Sequence, residues 1–256
     1  MKKRYLHLSI VCLLFAATPA FAQKGLKVGG FALPQTVFLF NADDQALDED
    51  IYRQELLGGM AAGAVFGYNF NDFVGFRLNL LYSQQGGKYS SRRDVVLRNS
   101  FVRRQEYLKL PLMLGVNSDP ERKVAFVFYG GVQLDLLTKA YSYNDNPAYE
   151  LPIPDNYTNF PSEYETYRAL HYSVVGDIGT DIKLSPRNFV LNLRIRGDYG
   201  LVDSENKDAS FRLTSNGFTR DQKYWEWVRG ATANAETFSL NVGFLVGLTY
   251  TFGPVE

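Results

Sequence analysis

The chain has 256 residues, with 27 Lys plus Arg matched by 27 Asp plus Glu, one Cys and two His. That balance argues against a nucleic-acid partner, a single Cys cannot build a disulfide framework, and so few His offer little to a metal, so no cofactor is expected. Aromatic residues are abundant, 17 Tyr and 19 Phe, yet beyond the N-terminus no stretch reaches the roughly 18 consecutive apolar residues of a membrane helix.

Residues 1–22 carry Lys2, Lys3 and Arg4, then an apolar run from Leu6 to Ala17, then Ala20-Phe21-Ala22. This order of positive, apolar and small residues is that of a cleaved secretory signal, with Gln23 as the first residue of the mature chain. The run falls short of the ~20 residues that span hydrocarbon, which argues against a permanent membrane helix. Cys12 lies inside the run and not at its end, so the mature chain is expected to hold no thiol, disulfide or lipid anchor. Removing three cations leaves 27 − 3 = 24 Lys plus Arg against 27 acids. Residues 23–256 are expected to form one domain.

Strands are predicted near 25–33, 58–70, 74–86, 103–116, 123–141, 168–184, 189–201 and 238–252. The first, Leu26 to Ala32, is short and rich in Gly and Ala. From the third onward the alternation is sustained. Val74, Phe76, Leu78, Leu80 and Tyr82 share one face while Arg77 and Asn79 share the other. Leu108, Leu110, Leu112, Leu114 and Val116 oppose Lys109, and Phe126, Phe128, Val132, Leu134 and Leu136 oppose Gln133 and Asp135. Asp177 and Asp181 fall on the polar face of the sixth strand. In the seventh, Phe189, Leu191, Leu193, Ile195, Tyr199 and Leu201 alternate with Asn192, Arg194, Arg196 and Asp198. The last runs Phe238, Leu240, Val242, Phe244, Val246, Leu248, Tyr250, Phe252 with Ser239, Asn241, Gly243, Leu245, Gly247, Thr249 and Thr251 between. A helix cannot sort residues at every second position.

Short links fall at Asn71-Asp72-Phe73, at Asn117 to Lys123 with Ser118-Asp119-Pro120, and at Ser185-Pro186-Arg187-Asn188, all rich in turn-forming residues. Long links fall at 34–57, 87–102, 142–167 and 202–235. This rhythm describes an all-β fold: an eight-stranded antiparallel up-and-down transmembrane β-barrel with short periplasmic turns and long extracellular loops, exported to the outer membrane of a Gram-negative cell. Each strand exceeds the ~9–11 residues that cross hydrocarbon, so the outer ends project above the membrane. Tyr68, Phe70, Tyr250 and Phe252 mark the lower interface, and Tyr82, Tyr172, Tyr199 and Phe238 the upper. A water-soluble ligand-carrying barrel is the alternative, but it would bury Arg194, Arg196 and Asp198 away from solvent or line a large cavity with the apolar stripe.

Eight strands leave an interior that side chains fill. A lumen network of Arg77, Lys109, Asp135, Asp177, Arg194, Arg196 and Asp198, with Asn79, Gln133 and Asp181, is therefore expected to pair internally and to plug the barrel. A four-residue turn at 185–188 pairs Leu184 with Phe189, which sets Asp177 directly opposite Arg196.

At Tyr107-Leu108-Lys109-Leu110-Pro111-Leu112-Met113-Leu114 the chain resembles the Tyr-Leu-x-Leu/Ile-Pro-Leu signature of the PorT-like outer-membrane β-barrel family, with further matches at Tyr129-Gly130-Gly131, at Gly176-Asp177-Ile178-Gly179 and from Val242-Gly243-Phe244 to Thr251-Phe252. The resemblance spans the mature chain; most such proteins have no known activity and some are associated with protein export to the cell surface, and a non-enzymatic surface or envelope component is expected. Pro111 lacks an N–H to donate, so it should mark a bulge or a local break in pairing. Many outer-membrane proteins end on an aromatic, whereas here Gly253-Pro254-Val255-Glu256 follow Phe252. If Phe252 serves as that end, residues 253–256 are dispensable for assembly.

Specific function is expected in the loops. Loop three holds Tyr143, Tyr149, Tyr157, Tyr164 and Tyr167 among acids, a composition of binding surfaces and of ordinary polar loops alike. Loop four holds Trp225 and Trp227, suited to anchoring at the headgroup boundary or to gripping a partner. Lys88, Arg92, Arg93, Arg98, Arg103 and Arg104 around loop two suit outer-leaflet phosphates or simple solvation. The partners so implied are outer-membrane lipid and lipopolysaccharide, and an envelope protein or secretion assembly. The enzymatic alternative is a lipid A deacylase built on His171 and Ser173, with Glu163 and Glu165 as orienting acids. In the strand phase above both residues point into the lumen, away from acyl chains.

Overall fold

The structure, a computed structural model, describes residues 25–41, 53–71, 73–90, 100–118, 122–144, 157–158, 162, 164–184, 188–215, 218–223 and 236–252. Residues 1–22, Arg92, Arg93, Arg98, Tyr149, Glu163, Trp225, Trp227 and 253–256 lie outside them.

Among the described residues twelve strands follow in order: β1 (Leu26–Asn41), β2 (Arg53–Glu55), β3 (Leu57–Asn69), β4 (Val74–Ser90), β5 (Ser100–Asn117), β6 (Val124–Asn144), β7 (Tyr157–Thr158), β8 (Leu170–Leu184), β9 (Phe189–Gly200), β10 (Ser210–Ser215), β11 (Phe218–Lys223) and β12 (Thr237–Phe252). One antiparallel sheet runs β2-β4-β3-β1-β12-β9-β8-β6-β5, and pairing of β4 with β5 closes it. Because β2 and β3 lie end to end along β4, the ring has eight staves. Closure leaves every stave a partner on both sides, which is how a sheet survives in lipid with no water to satisfy its backbone.

Side-chain direction follows period two. Ile195 is 55% exposed between Arg194 and Arg196, each 1% exposed, an alternation that assigns the outer surface to apolar residues. Phe126, Phe128, Leu112, Leu114, Phe244 and Val246 are exposed on the same outer wall. Among the described residues no helix is long and apolar enough to cross a membrane. Aromatic pairs mark both rims: Tyr68 with Phe70 and Tyr250 with Phe252 in edge contact at the turn end, Tyr199 stacked on Phe238 at the other.

The short turns are built locally. Asn71 Oδ1 accepts from the Phe73 and Val74 amides at 2.9 and 2.7 Å, an Asx turn that supplies the backbone's partners. Ser118 Oγ accepts from the Phe126 amide at 3.0 Å.

Three features differ from the strand pattern. First, β1 continues through Pro34 to Asn41, whereas the predicted strand stops at 33. Proline is tolerated because its missing N–H falls where the β12 ladder skips Leu33 and Pro34, while pairing with β3 is unbroken. Pro111 behaves likewise: β5 pairs with β6 through Pro111 and Gln133, but the β4 ladder skips from Leu112 to Lys109. Second, the lumen is not wholly polar. Phe31, Leu33, Ala61, Val65, Leu81 and Leu245 form an apolar cluster inside the barrel, contributed by β1, β3, β4 and β12. Third, loops three and four contain strands. β10 pairs with β11 and, through Arg212 and Leu213, with Thr158 and Tyr157 of β7.

Candidate functional site in the lumen and outer loops

The charges on the apolar stripe's reverse face converge because β8 and β9 supply one residue per two to the lumen. Leu184 pairs with Phe189, and Asp177 stands opposite Arg196. Arg196 donates through Nε and Nη2 to the two Asp177 oxygens at 2.6 and 2.8 Å, the bidentate geometry that suits a guanidinium to a carboxylate. Asp181 accepts from Arg194 Nη2 and, at 2.8 Å, from Asn192 Nδ2, with Arg77 Nη2 3.6 Å away.

Nearer the outer end, Lys109 Nζ and Asn241 Nδ2 both donate to Asp198 Oδ1, at 2.9 and 2.8 Å. Ser173 Oγ donates to Asp135 Oδ2 at 2.5 Å. Buried cations of the barrel wall are Lys27, Arg77, Lys109, Arg194 and Arg196, against Asp135, Asp177, Asp181 and Asp198. Near-neutrality of that set is what makes its burial affordable, since an unpaired buried ion costs several kcal/mol. Several contacts cross the lumen. Arg77 on β4 reaches Asp181 on β8, and Lys109 on β5 reaches Asp198 on β9. Side chains from opposite walls thus meet at two levels.

An aromatic group within the network has no counterpart in the polar set read from the strand phase. Arg77 stands 4.3 Å and Arg194 4.8 Å from the centroid of the Tyr129 ring, a geometry that offsets guanidinium desolvation. A Cβ on Gly115 would lie 2.2 Å from Tyr129 Cδ1, so glycine there makes room for the ring. The signal was present: Tyr129 shares parity with Gln133 and Asp135.

The outer mouth is covered by loop residues. Tyr107 and Leu137 from the wall pack with Tyr167 and Ala209 from loops three and four. Arg168 N donates to Ser204 O, Asn206 N to Thr166 O, and Asn206 Nδ2 to Glu165 O. Lys207 Nζ bonds Glu205 at 2.7 Å and lies 3.7 Å from Asp203. Glu165 accepts from both the amide and hydroxyl of Ser162 at 2.8 and 2.9 Å, which hold its carboxyl below the usual carboxylate range. Tyr164 is exposed, its hydroxyl 3.4 Å from the Leu137 carbonyl, and Tyr157 lies in β7.

His171 and Ser173 both face inward and are buried, but they serve different partners. His171 Nε2 lies 2.6 Å from the Arg168 carbonyl and its ring meets Tyr107 edge-on. Ser173 is committed to Asp135 and Glu165 to Ser162, so neither builds a nucleophile and base with the histidine. Among the described residues no group of three or more His, Cys, Asp or Glu could hold a metal.

The family model described as outer membrane protein beta-barrel domain matches residues 21–206. No curated protein matches the chain. Among solved structures, the chain is similar to the outer membrane protein OprG from Pseudomonas aeruginosa (11% identity, 91% of this chain and 97% of that chain, TM-score 0.44). It is similar also to Neisserial surface protein A (11%, 88% and 96%, 0.41) and to Ail of Yersinia pestis, solved with the heparin analogue sucrose octasulfate (10%, 90% and 100%, 0.36).

Proposed function

Because this chain belongs to the outer membrane protein beta-barrel domain family, we propose that it is a non-enzymatic integral component of the outer membrane whose lumen is plugged and whose specific contacts are made by its extracellular loops. Residues 1–22 act as the cleaved signal that takes it there. The Tyr107 to Leu114 resemblance favours a secretion or attachment assembly as partner over an isolated extracellular ligand, and lipopolysaccharide surrounds the outer wall.

The observation that carries this reading is the division of labour along the barrel. The lumen's charges are spent on one another across its width, as Lys109 with Asp198 illustrates. Loops three and four instead join in a sheet of their own, β11-β10-β7. A photo-crosslinker at Tyr157 or Tyr164 in intact cells should capture an envelope protein or surface ligand, whereas one at Leu193 captures lipid. Lipid adducts from all three positions would refute a loop-borne role.

A further inference from the structure

We infer that the outward face of β4, β5 and β6, immediately above the apolar belt, is a seat for the phosphorylated sugar headgroup of outer-leaflet glycolipid. The inference rests on the reading that this half of the barrel stands in a lipopolysaccharide leaflet, and it names the residues that meet it.

Tyr82, Leu108 and Leu136 stand in one row across the three strands, and Gln84, Glu106 and Lys139 form a row above them. Between these rows the β5–β6 ladder shifts register at Glu106/Tyr107, and Thr138 is the extra residue. Below the bulge the odd residues of β6 face the lumen, as Val127, Tyr129, Gln133, Asp135 and Leu137 do. Above it the parity inverts. Lys139 and Tyr143 are exposed, and the Lys139 ammonium stands 4.7 Å over the Tyr141 ring. A bulge that re-aims side chains is a built feature, and here it moves a cation and two tyrosines from the interior to the membrane side.

A second device supplies another cation. Arg104 lies opposite Gly86, and its Nη1 passes across β4 to donate to the Gly58 carbonyl on the far side at 2.9 Å. Gly86 has φ +156, and a Cβ there would lie 1.9 Å from the Arg103 carbonyl oxygen, so the position is closed to other residues and its outer face stays bare for the guanidinium. The one carboxylate in the row, Glu106, stands across the ladder from Lys139 with the Tyr82 and Tyr141 phenols beside it, so Arg104 and Lys139 together outnumber it and leave a net positive charge for an external anion. Tyr141 and Tyr143 stack at 6.3 Å, giving a flat aromatic strip of the kind on which a sugar ring rests, at the height where amphipathic rings collect. Cations beside aromatic faces at the end of an apolar wall match a phosphate on a lipid-borne sugar.

The test uses the full mature chain refolded in phosphatidylcholine nanodiscs containing either lipid A with its phosphates or the dephosphorylated lipid, with bound lipid counted by native mass spectrometry. Wild type should prefer the phosphorylated form about tenfold, and R104Q/K139Q should lose that preference. Millimolar inorganic phosphate should leave the lipid in place; displacement by it would overturn a glycolipid as the source. Equal preference in wild type and the double variant overturns the seat. Heat-modifiable gel mobility shows whether each barrel is folded, and if the double variant does not fold, K139Q alone should lower the preference about threefold, an unchanged value again overturning it. Loop crosslinking at Tyr164 is independent of both substitutions, so failure of the seat leaves the loop-borne role standing.

Discussion

Lys109 on β5 and Asp198 on β9 meet at 2.9 Å although β6 and β8 stand between their strands in the sheet. The contact is a chord of the cylinder, so it reports the fullness of the lumen as well as a local pairing. Breaking it one-sidedly leaves a charge in a site that is 1–5% exposed. Lys109→Met should therefore destabilise the barrel by about 3–5 kcal/mol, while K109M/D198N recovers most of the loss. Denaturant unfolding of the refolded protein in detergent micelles checks both, and a double variant no better than the single would show that the pair is not coupled.

Gly115→Ala tests the aromatic platform. The added methyl has the Tyr129 ring 2.2 Å away, and that ring cannot retreat without leaving Arg77 and Arg194. A loss of about 1–3 kcal/mol is expected from such overpacking. An unchanged unfolding midpoint would place the ring elsewhere.

Much of this was legible in residue order because lipid and lumen impose opposite demands on alternate positions. Leu193 and Arg194 need no further information to be assigned to their faces, and a four-residue turn fixes Asp177 against Arg196. What stayed hidden depended on contacts between distant staves. Nothing local shows that Pro34 falls at a gap in the β12 ladder, so the predicted strand stops eight residues short of the end of Leu26–Asn41. The bulge at Thr138 inverts β6 beyond it, and parity counted from Asp135 places Lys139 on the wrong side. Phe31 and Leu33 fill the lumen only because β3 opposite them offers Ala61 and Gly63. The joining of loops three and four through Tyr157 and Leu213 likewise depends on two segments far apart in the chain.

Lipid A chemistry should be indifferent to His171. Its ring nitrogen is engaged by the Arg168 carbonyl and Ser173 by Asp135, so no activated hydroxyl faces the bilayer. Cells carrying His171→Ala should show the same lipid A acylation by mass spectrometry as wild type. A change in acyl number would restore the deacylase reading.

Acid should loosen the turn that Ser162 and Glu165 build. The Ser162 amide and hydroxyl bond the ionised Glu165 carboxylate and lower its pKa from the ordinary 4.5. A depressed carboxyl stabilises above its unfolded value, and that contribution fades as pH falls through the folded one. Amide protection at Glu165 and Thr166, whose N–H groups donate to the Ser162 carbonyl, taken as exchange relative to the intrinsic rate at each pH, should be greater at pH 6 than below pH 4. In Glu165→Gln that difference should vanish, and its persistence would assign the turn's stability to other groups.

The strictest test of the two-solvent wall uses adjacent residues. Spin labels at Leu193 and Arg194, introduced one at a time as cysteines in the mature chain, sit one position apart on β9 yet on opposite faces of the sheet. Oxygen concentrates in hydrocarbon and a water-soluble nickel chelate in water, so the label at 193 should be relaxed strongly by oxygen and weakly by nickel. The label at 194, buried between Asp177 and Asp181, should be reached poorly by both and should be far less mobile. Labels at Val246 and Leu245 repeat the comparison on β12 without removing a charge, since Val246 is 41% and Leu245 3% exposed. Matching relaxation within either pair would mean that neighbouring positions share one environment, and a closed wall with lipid on one side and packed side chains on the other does not permit that.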